Sequence, residues 1–170
     1  MIIAIDPGTT ESAWVSLHSG VPAEHAKESN YEVLARVRRD WEPKTDLLAL
    51  EMVASMGMAV GKEIFETVFW IGQFFEAWAY RGGNTQRVYR REVKLFLCES
   101  SKANDSNIRA AIIDRYGGQA HAIGLKRSPG PLFGIKADRW SALAVALTAE
   151  GKPANPALAM PAAKILELPV

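Results

Sequence analysis

Three acidic residues of this chain stand where a carboxylate is costly. Asp6 follows the apolar run Met1 to Ile5, Glu51 interrupts the run Leu47-Leu48-Ala49-Leu50, and Asp138 lies in the first turn of a helical pattern from Ala137 to Glu150. Carboxylates in apolar surroundings need a partner or a metal, and three meeting at one sheet end would repel one another without a cation. Mg²⁺ resolves that conflict, because it takes a few carboxylates together with water and phosphate oxygens. Two such ions can clamp the attacking and departing oxygens of a phosphodiester. Asp6, Glu51 and Asp138 are therefore candidate metal ligands and catalytic residues. On this reading a metal-activated water attacks phosphorus, and a second ion or Lys94 stabilises the developing charge. Taken singly, each acid also has a plainer role: Asp6 as a turn former, Asp138 as a helix N-terminal residue favoured by the macrodipole, and Glu51 as half of a salt bridge.

The basic residues are spread unevenly. The whole chain carries a net charge of +1, yet residues 1–51 hold 5 basic and 9 acidic groups while residues 81–139 hold 12 basic and 5 acidic groups. A face that gathers Lys and Arg attracts phosphates whatever the net charge of the chain. Arg87, Arg90, Arg91, Lys94, Lys102, Lys126, Arg127, Lys136 and Arg139 form the candidate phosphate-facing set, which is the DNA-binding set if the resemblance described below holds. Contacts of this kind give affinity and salt dependence with little sequence information, and an ordinary solvated basic surface would have the same composition.

The elements that must position these residues follow from periodicity and turn signals. Met1 to Ile5 reads as a buried strand ended by Asp6-Pro7-Gly8-Thr9-Thr10, and Ser12 to Leu17 as its antiparallel hairpin partner. A third strand fits the polar stretch after Gly20, followed by a helix from Tyr31 to Trp41 that stops before Pro43. Asp46 to Val53 is apolar enough for a central strand covered on both faces. Val60 to Tyr80 reads as a long helix, Arg87 to Tyr89 as a short strand, and Glu92 to Cys98 and Asp105 to Tyr116 as helices. His121 to Lys136 reads as an exposed loop, and Ala137 to Glu150 as a helix with Leu143, Ala144 and Leu147 inward. The fold class expected is α/β, a mixed sheet flanked by helices. Residues 1–150 make one domain, and 151–170 a Pro/Ala-rich tail.

Within the long helix, Phe65, Phe69, Trp70 and Phe74 widen the apolar stripe beyond one core face. That makes them candidates for a subunit interface, with burial inside one domain as the alternative. The single cysteine, Cys98, cannot close an intramolecular disulfide, and there is no signal-like start or membrane-length apolar run. Those features point to a cytoplasmic protein that does not span a membrane. His18, His25 and His121 lack zinc-like spacing, and the common nucleotide-binding glycine motifs are missing from the sequence.

Five segments follow one another in order across roughly residues 1–150: Ile3-Ala4-Ile5-Asp6-Pro7-Gly8-Thr9-Thr10, Leu48-Ala49-Leu50-Glu51, Ile71-Gly72-Gln73, Glu92-Val93-Lys94 and Lys136-Ala137-Asp138-Arg139-Trp140-Ser141-Ala142-Leu143-Ala144. Together they resemble the RuvC-type Holliday junction resolvases, a family also carried by phages. The resemblance implies a ribonuclease H-like fold, a homodimer, and Mg²⁺-dependent nicking of two symmetry-related strands of a four-way DNA junction, with Mn²⁺ able to substitute. It places the activity in DNA recombination, repair or phage genome processing, and in the host cytoplasm if phage-encoded. The chain also departs from the family. Where a fourth acid usually stands, three residues after the third, this sequence has Ser141. Glu63, Glu66 and Asp105 could compensate, although none is at a matching position. Lys102 stands in for a basic residue the family often has after Val93-Lys94. The loop after the second acid often carries a stacking aromatic, whereas here it has Met52, Met56 and Met58. Two alternatives stay open: a fork or flap nuclease of the same fold, and a non-catalytic DNA-binding module. The Asp6-Pro7-Gly8-Thr9-Thr10 run also looks like the first phosphate loop of actin-like and sugar-kinase folds, but those need two lobes.

Overall fold

The computed structural model describes residues 1–54 and 60–151. Met56, Met58 and all but the first residue of the expected tail lie outside the described residues. The chain opens with β1 (Ile2–Asp6), β2 (Glu11–His18) and β3 (Val21–Ser29), an antiparallel meander. Then come α1 (Asn30–Arg39), β4 (Leu47–Met52), α2 (Lys62–Tyr80) and β5 (Asn84–Tyr89). Both later strands run parallel, β4 against β1 and β5 against β4, giving a five-stranded sheet of order β3-β2-β1-β4-β5. The chain continues through α3 (Arg90–Cys98), α4 (Asp105–Arg115), α5 (Gln119–Ala122), a small hairpin of β6 (Gly124–Leu125) and β7 (Ser128–Pro129), and α6 (Arg139–Gly151). Among the described residues no helix is long and apolar enough to cross a membrane.

Side-chain alternation along the strands separates two cores. Ile3, Ile5, Trp14, Leu48 and Leu50 face α1 and α2, while Ala4, Ala13, Val15, Ala49 and Val88 face α6. The α6 side of the sheet is lined with alanine at its centre, and α6 itself is rich in small buried residues, Ala142 and Ala146 sharing one face of the helix. Small residues on both surfaces let the helix lie close to the sheet. That closeness brings the start of α6 over the ends of β1 and β4.

Two readings from sequence need correction. The α6 helix is buried at Trp140 and from Ala142 to Ala149 rather than on one side, because α3 and α4 cover the face turned away from the sheet. The stretch from His121 to Lys136 is exposed over much of its length, at Leu125 to Pro129 and at Pro131, Phe133, Gly134 and Lys136, but it is a folded excursion rather than a plain loop, since Ala122, Leu132 and Ile135 are buried in the α6-side core.

Candidate active site

The residue following Ile5 and the residue following Leu50 are Asp6 and Glu51, and Ile5 and Leu50 are partners in the parallel β1–β4 ladder. Strand alternation therefore sends both carboxyls to the α6 side, next to each other at the carboxyl ends of the strands. They hydrogen-bond to one another. Burial and the neighbouring Glu51 and Asp138 charges push the Asp6 carboxyl up from 3.8 to about 8, so at neutral pH it holds the proton shared with Glu51. Burial raises Glu51 as well, against the opposing pull of Arg90. The Glu51 side chain is only 13% exposed.

The turn after Asp6 is held by buried polar groups. The Ser12 hydroxyl donates to Asn30 Oδ1 at 2.6 Å, Asn30 Nδ2 donates to the Gly8 carbonyl at 3.0 Å, and the Gly8 N–H donates to Ser12 Oγ at 3.3 Å. A β-carbon at Gly8 would lie 2.3 Å from the Glu11 carbonyl oxygen, so the turn requires glycine. Neither Ser12 nor Asn30 was singled out from sequence, because a buried small polar residue carries no periodic signal.

Arg90 opens α3, where the Tyr89 N–H donates to the Glu92 carboxylate at 2.8 Å. Its guanidinium lies 3.5 Å from Glu51 and also pairs closely with Asp105. Arg90 is thus a charge partner of the acid pair, and it also lines the cleft in front of that pair. Asp105, considered from sequence as a compensating ligand, reaches the site through Arg90. Arg87 pairs in register with Leu50, which puts it on the α2 side of the sheet, away from the carboxylates. Arg91 and Lys94 line a cleft of about 550 Å³ together with Asp6, Glu51, Met52, Ile64 and Tyr89. Lys102, Lys126, Arg127 and Lys136 are exposed, and Arg139 is half-buried with Nε bonded to the Lys136 carbonyl.

Asp138 directly precedes α6, and its carbonyl accepts the Ala142 N–H at 3.1 Å. Ala137 before it has a φ of 47°, the left-handed region that an L-residue enters at a cost of about 1–2 kcal/mol. The Asp138 charge is felt at Asp6, but its carboxylate is bound by Lys27 Nζ at 2.7 Å. Lys27 was missed from sequence, although it follows from strand pairing: Asp6 faces Ala13, and Ala13 faces Lys27. Ser141 is half-buried one turn into α6. Among the described residues no three Asp, Glu, His or Cys side chains surround one point closely enough to hold a metal ion. The donor set still suits a hard divalent cation: two half-buried carboxyls that must share a proton when alone, a third carboxylate beside them, and a cleft open to phosphate oxygens.

The interface residues expected on α2 divide. Phe65 and Phe69 are 65% and 56% exposed, whereas Trp70 is 8% exposed and Phe74 fully buried, both in the α2-side core. Trp70 forms the floor beneath exposed Tyr31 and Phe69, whose rings meet it edge-on at 5.0 and 5.5 Å.

The order of the five strands, with α6 on one face and α1 and α2 on the other, defines a ribonuclease H-like fold of the RuvC type. No family model matches the sequence, and no curated protein matches it significantly. Among solved structures, the chain is similar to Thermus thermophilus RuvC with a TM-score of 0.61 at 18% identity, covering 94% of this chain and 98% of that one. It is also similar to T. thermophilus RuvC in complex with a Holliday junction substrate, with a TM-score of 0.59 at 17% identity over 88% and 92% of the two chains.

Proposed function

We propose that this chain is a metal-dependent endodeoxyribonuclease that resolves four-way DNA junctions by paired symmetric nicks, as a homodimer. The observation that carries the reading is the half-buried Asp6–Glu51 carboxyl pair at the ends of neighbouring parallel strands, beneath Asp138 at the start of α6, in a RuvC-type fold. Asp6, Glu51 and Asp138 would hold Mg²⁺, or Mn²⁺ in its place, with Ser141 at the fourth position. When bound, such ions supply Lewis-acid activation of water and neutralise charge on the phosphodiester. Arg90 limits the negative charge of the pair without saturating it, because it is shared with Asp105. Arg91 and Lys94 line the cleft where a DNA phosphate would lie, and Lys94 would stabilise charge developing there. Lys102, Lys126, Arg127, Lys136 and Arg139 extend the phosphate contacts. The nuclease domain is residues 1–150, acting in the cytoplasm on recombination or repair intermediates.

The test is cleavage of an end-labelled synthetic four-way junction, beside a linear duplex and a Y-fork, in Mg²⁺ and in EDTA. Symmetric nicks confined to the junction and abolished by EDTA are expected. Equal cutting of the fork would replace this reading with a fork or flap nuclease, and tight binding without cutting in Mg²⁺ or Mn²⁺ would leave a DNA-binding module.

A further inference from the structure

We propose that Lys27 is a positioning residue of this site, holding the Asp138 carboxylate in reserve by an ion pair that a divalent cation displaces. The inference rests on the nuclease reading above. Lys27, Ala13, Asp6 and Glu51 form one row across four strands, all on the α6 side. Asp138 stands over that row, and its carboxylate meets the Lys27 ammonium at 2.7 Å while Asp6 and Glu51 bond to each other. The site therefore has its third carboxylate beside the pair but committed elsewhere. A cation entering between the pair and Asp138 must compete with the ammonium for one carboxylate and is repelled by it at short range.

The competing contact is weak enough to be exchanged. Lys27 and Asp138 are 41% and 52% exposed, a setting in which ion pairs contribute little. Lys27 also has a second partner, the Glu11 carboxylate at 3.7 Å, which can keep the ammonium once Asp138 turns away. A purely structural staple between β3 and α6 is already provided next door, where Arg139 Nη1 lies 3.3 Å from His25 Nδ1. The groups facing Lys27 are thus Asp138 from the start of α6 and Glu11 from β2, and both are acidic.

Mn²⁺ titration of the metal-free full-length protein, followed by the electron paramagnetic resonance of free Mn²⁺ at low ionic strength, tests this directly. Lys27→Met is expected to bind Mn²⁺ about three- to tenfold more tightly than the unaltered protein, and Lys27→Arg, which keeps the charge, within about twofold of it. The gain should vanish in the Asp138→Asn background and shrink in about 1 M salt, where screening reaches about 3 Å. Lys27→Gln repeats the measurement should Lys27→Met fold poorly. Unchanged or weaker binding by the charge-removing variants overturns the inference. So does a gain that persists with Asp138→Asn, since Lys27 would then act by general charge. If the unaltered protein and Asp6→Asn alike bind no Mn²⁺, the nuclease reading falls and takes the inference with it.

Discussion

Asp6 and Glu51 stand where carboxyls cost stability, a cost that the proposed metal site would explain. Two carboxyls side by side in a half-closed sheet end share a proton because neither burial nor the Arg90 charge allows both to ionise. Asp6→Asn keeps the shape and removes the charge. Changing residues that only orient a metal's ligands costs about 10- to 100-fold, so on the proposed function Asp6→Asn should lower junction cleavage by at least about a hundredfold, with binding measured by gel shift nearly unchanged. Cutting at the wild-type rate would refute the site. The same substitution reads out a linkage. The folded Asp6 carboxyl titrates near 8 against an ordinary value of 3.8, so between those values the native state holds a proton the unfolded chain has released. Stability of the metal-free protein therefore falls as pH rises through that window. In EDTA, the difference in melting temperature between the native sequence and Asp6→Asn should move toward the variant from pH 5 to pH 8. A difference independent of pH would show that Asp6 is not buried with its proton.

At the scale of elements, the turn that carries Asp6 depends on α1. Asn30, the first residue of α1, both accepts from Ser12 and donates to Gly8, so Asn30→Ala strands two buried polar groups at about 1–3 kcal/mol. For a chain of this length each kcal/mol lowers the melting temperature by about 2–4 °C. Thermal unfolding followed by circular dichroism should show that loss together with weaker Mn²⁺ binding, and a variant that melts like the native protein would remove the network from the account. Most of the strands and helices were legible through runs or periodic faces of apolar residues: β1 ends at Asp6, β4 runs through the acid at Glu51, and α2 ends at Tyr80 as the pattern predicts. The acids were legible because they interrupt those faces. What escaped was set by tertiary contact. The Lys27 contact to Asp138 depends on strand register, the pairing of Arg90 with acids depends on how α3 and α4 meet, and the folding of 121–136 depends on Leu132 and Ile135 finding space under α6. Full burial of α6 escaped for a similar reason, since an alanine-rich helix shows no contrast between its faces.

For the molecule as a whole, the proposed function calls for a second copy of the chain. A four-way junction has two strands to cut, and two identical sites related by a two-fold axis match that symmetry. The outer face of α2 offers a surface for such pairing: Phe65, Val68 and Phe69 lie exposed along it, with Tyr31 of α1 beside them and Trp70 as their support. Burying large apolar side chains contributes about 1.5–3 kcal/mol each, and a stable interface covers about 800 Å² per partner, so this cluster can anchor a dimer but needs a polar rim to complete it. Replacing both aromatics, Phe65→Asp with Phe69→Asp, leaves the fold intact because neither is in the core. It should convert a dimer at micromolar concentration to a monomer in sedimentation velocity. On a junction the monomer should nick the two strands independently, so that singly nicked product accumulates before the second cut. If the unaltered chain sediments as a monomer with and without junction DNA, the α2 face is not a subunit interface, and paired cutting would need another source of symmetry.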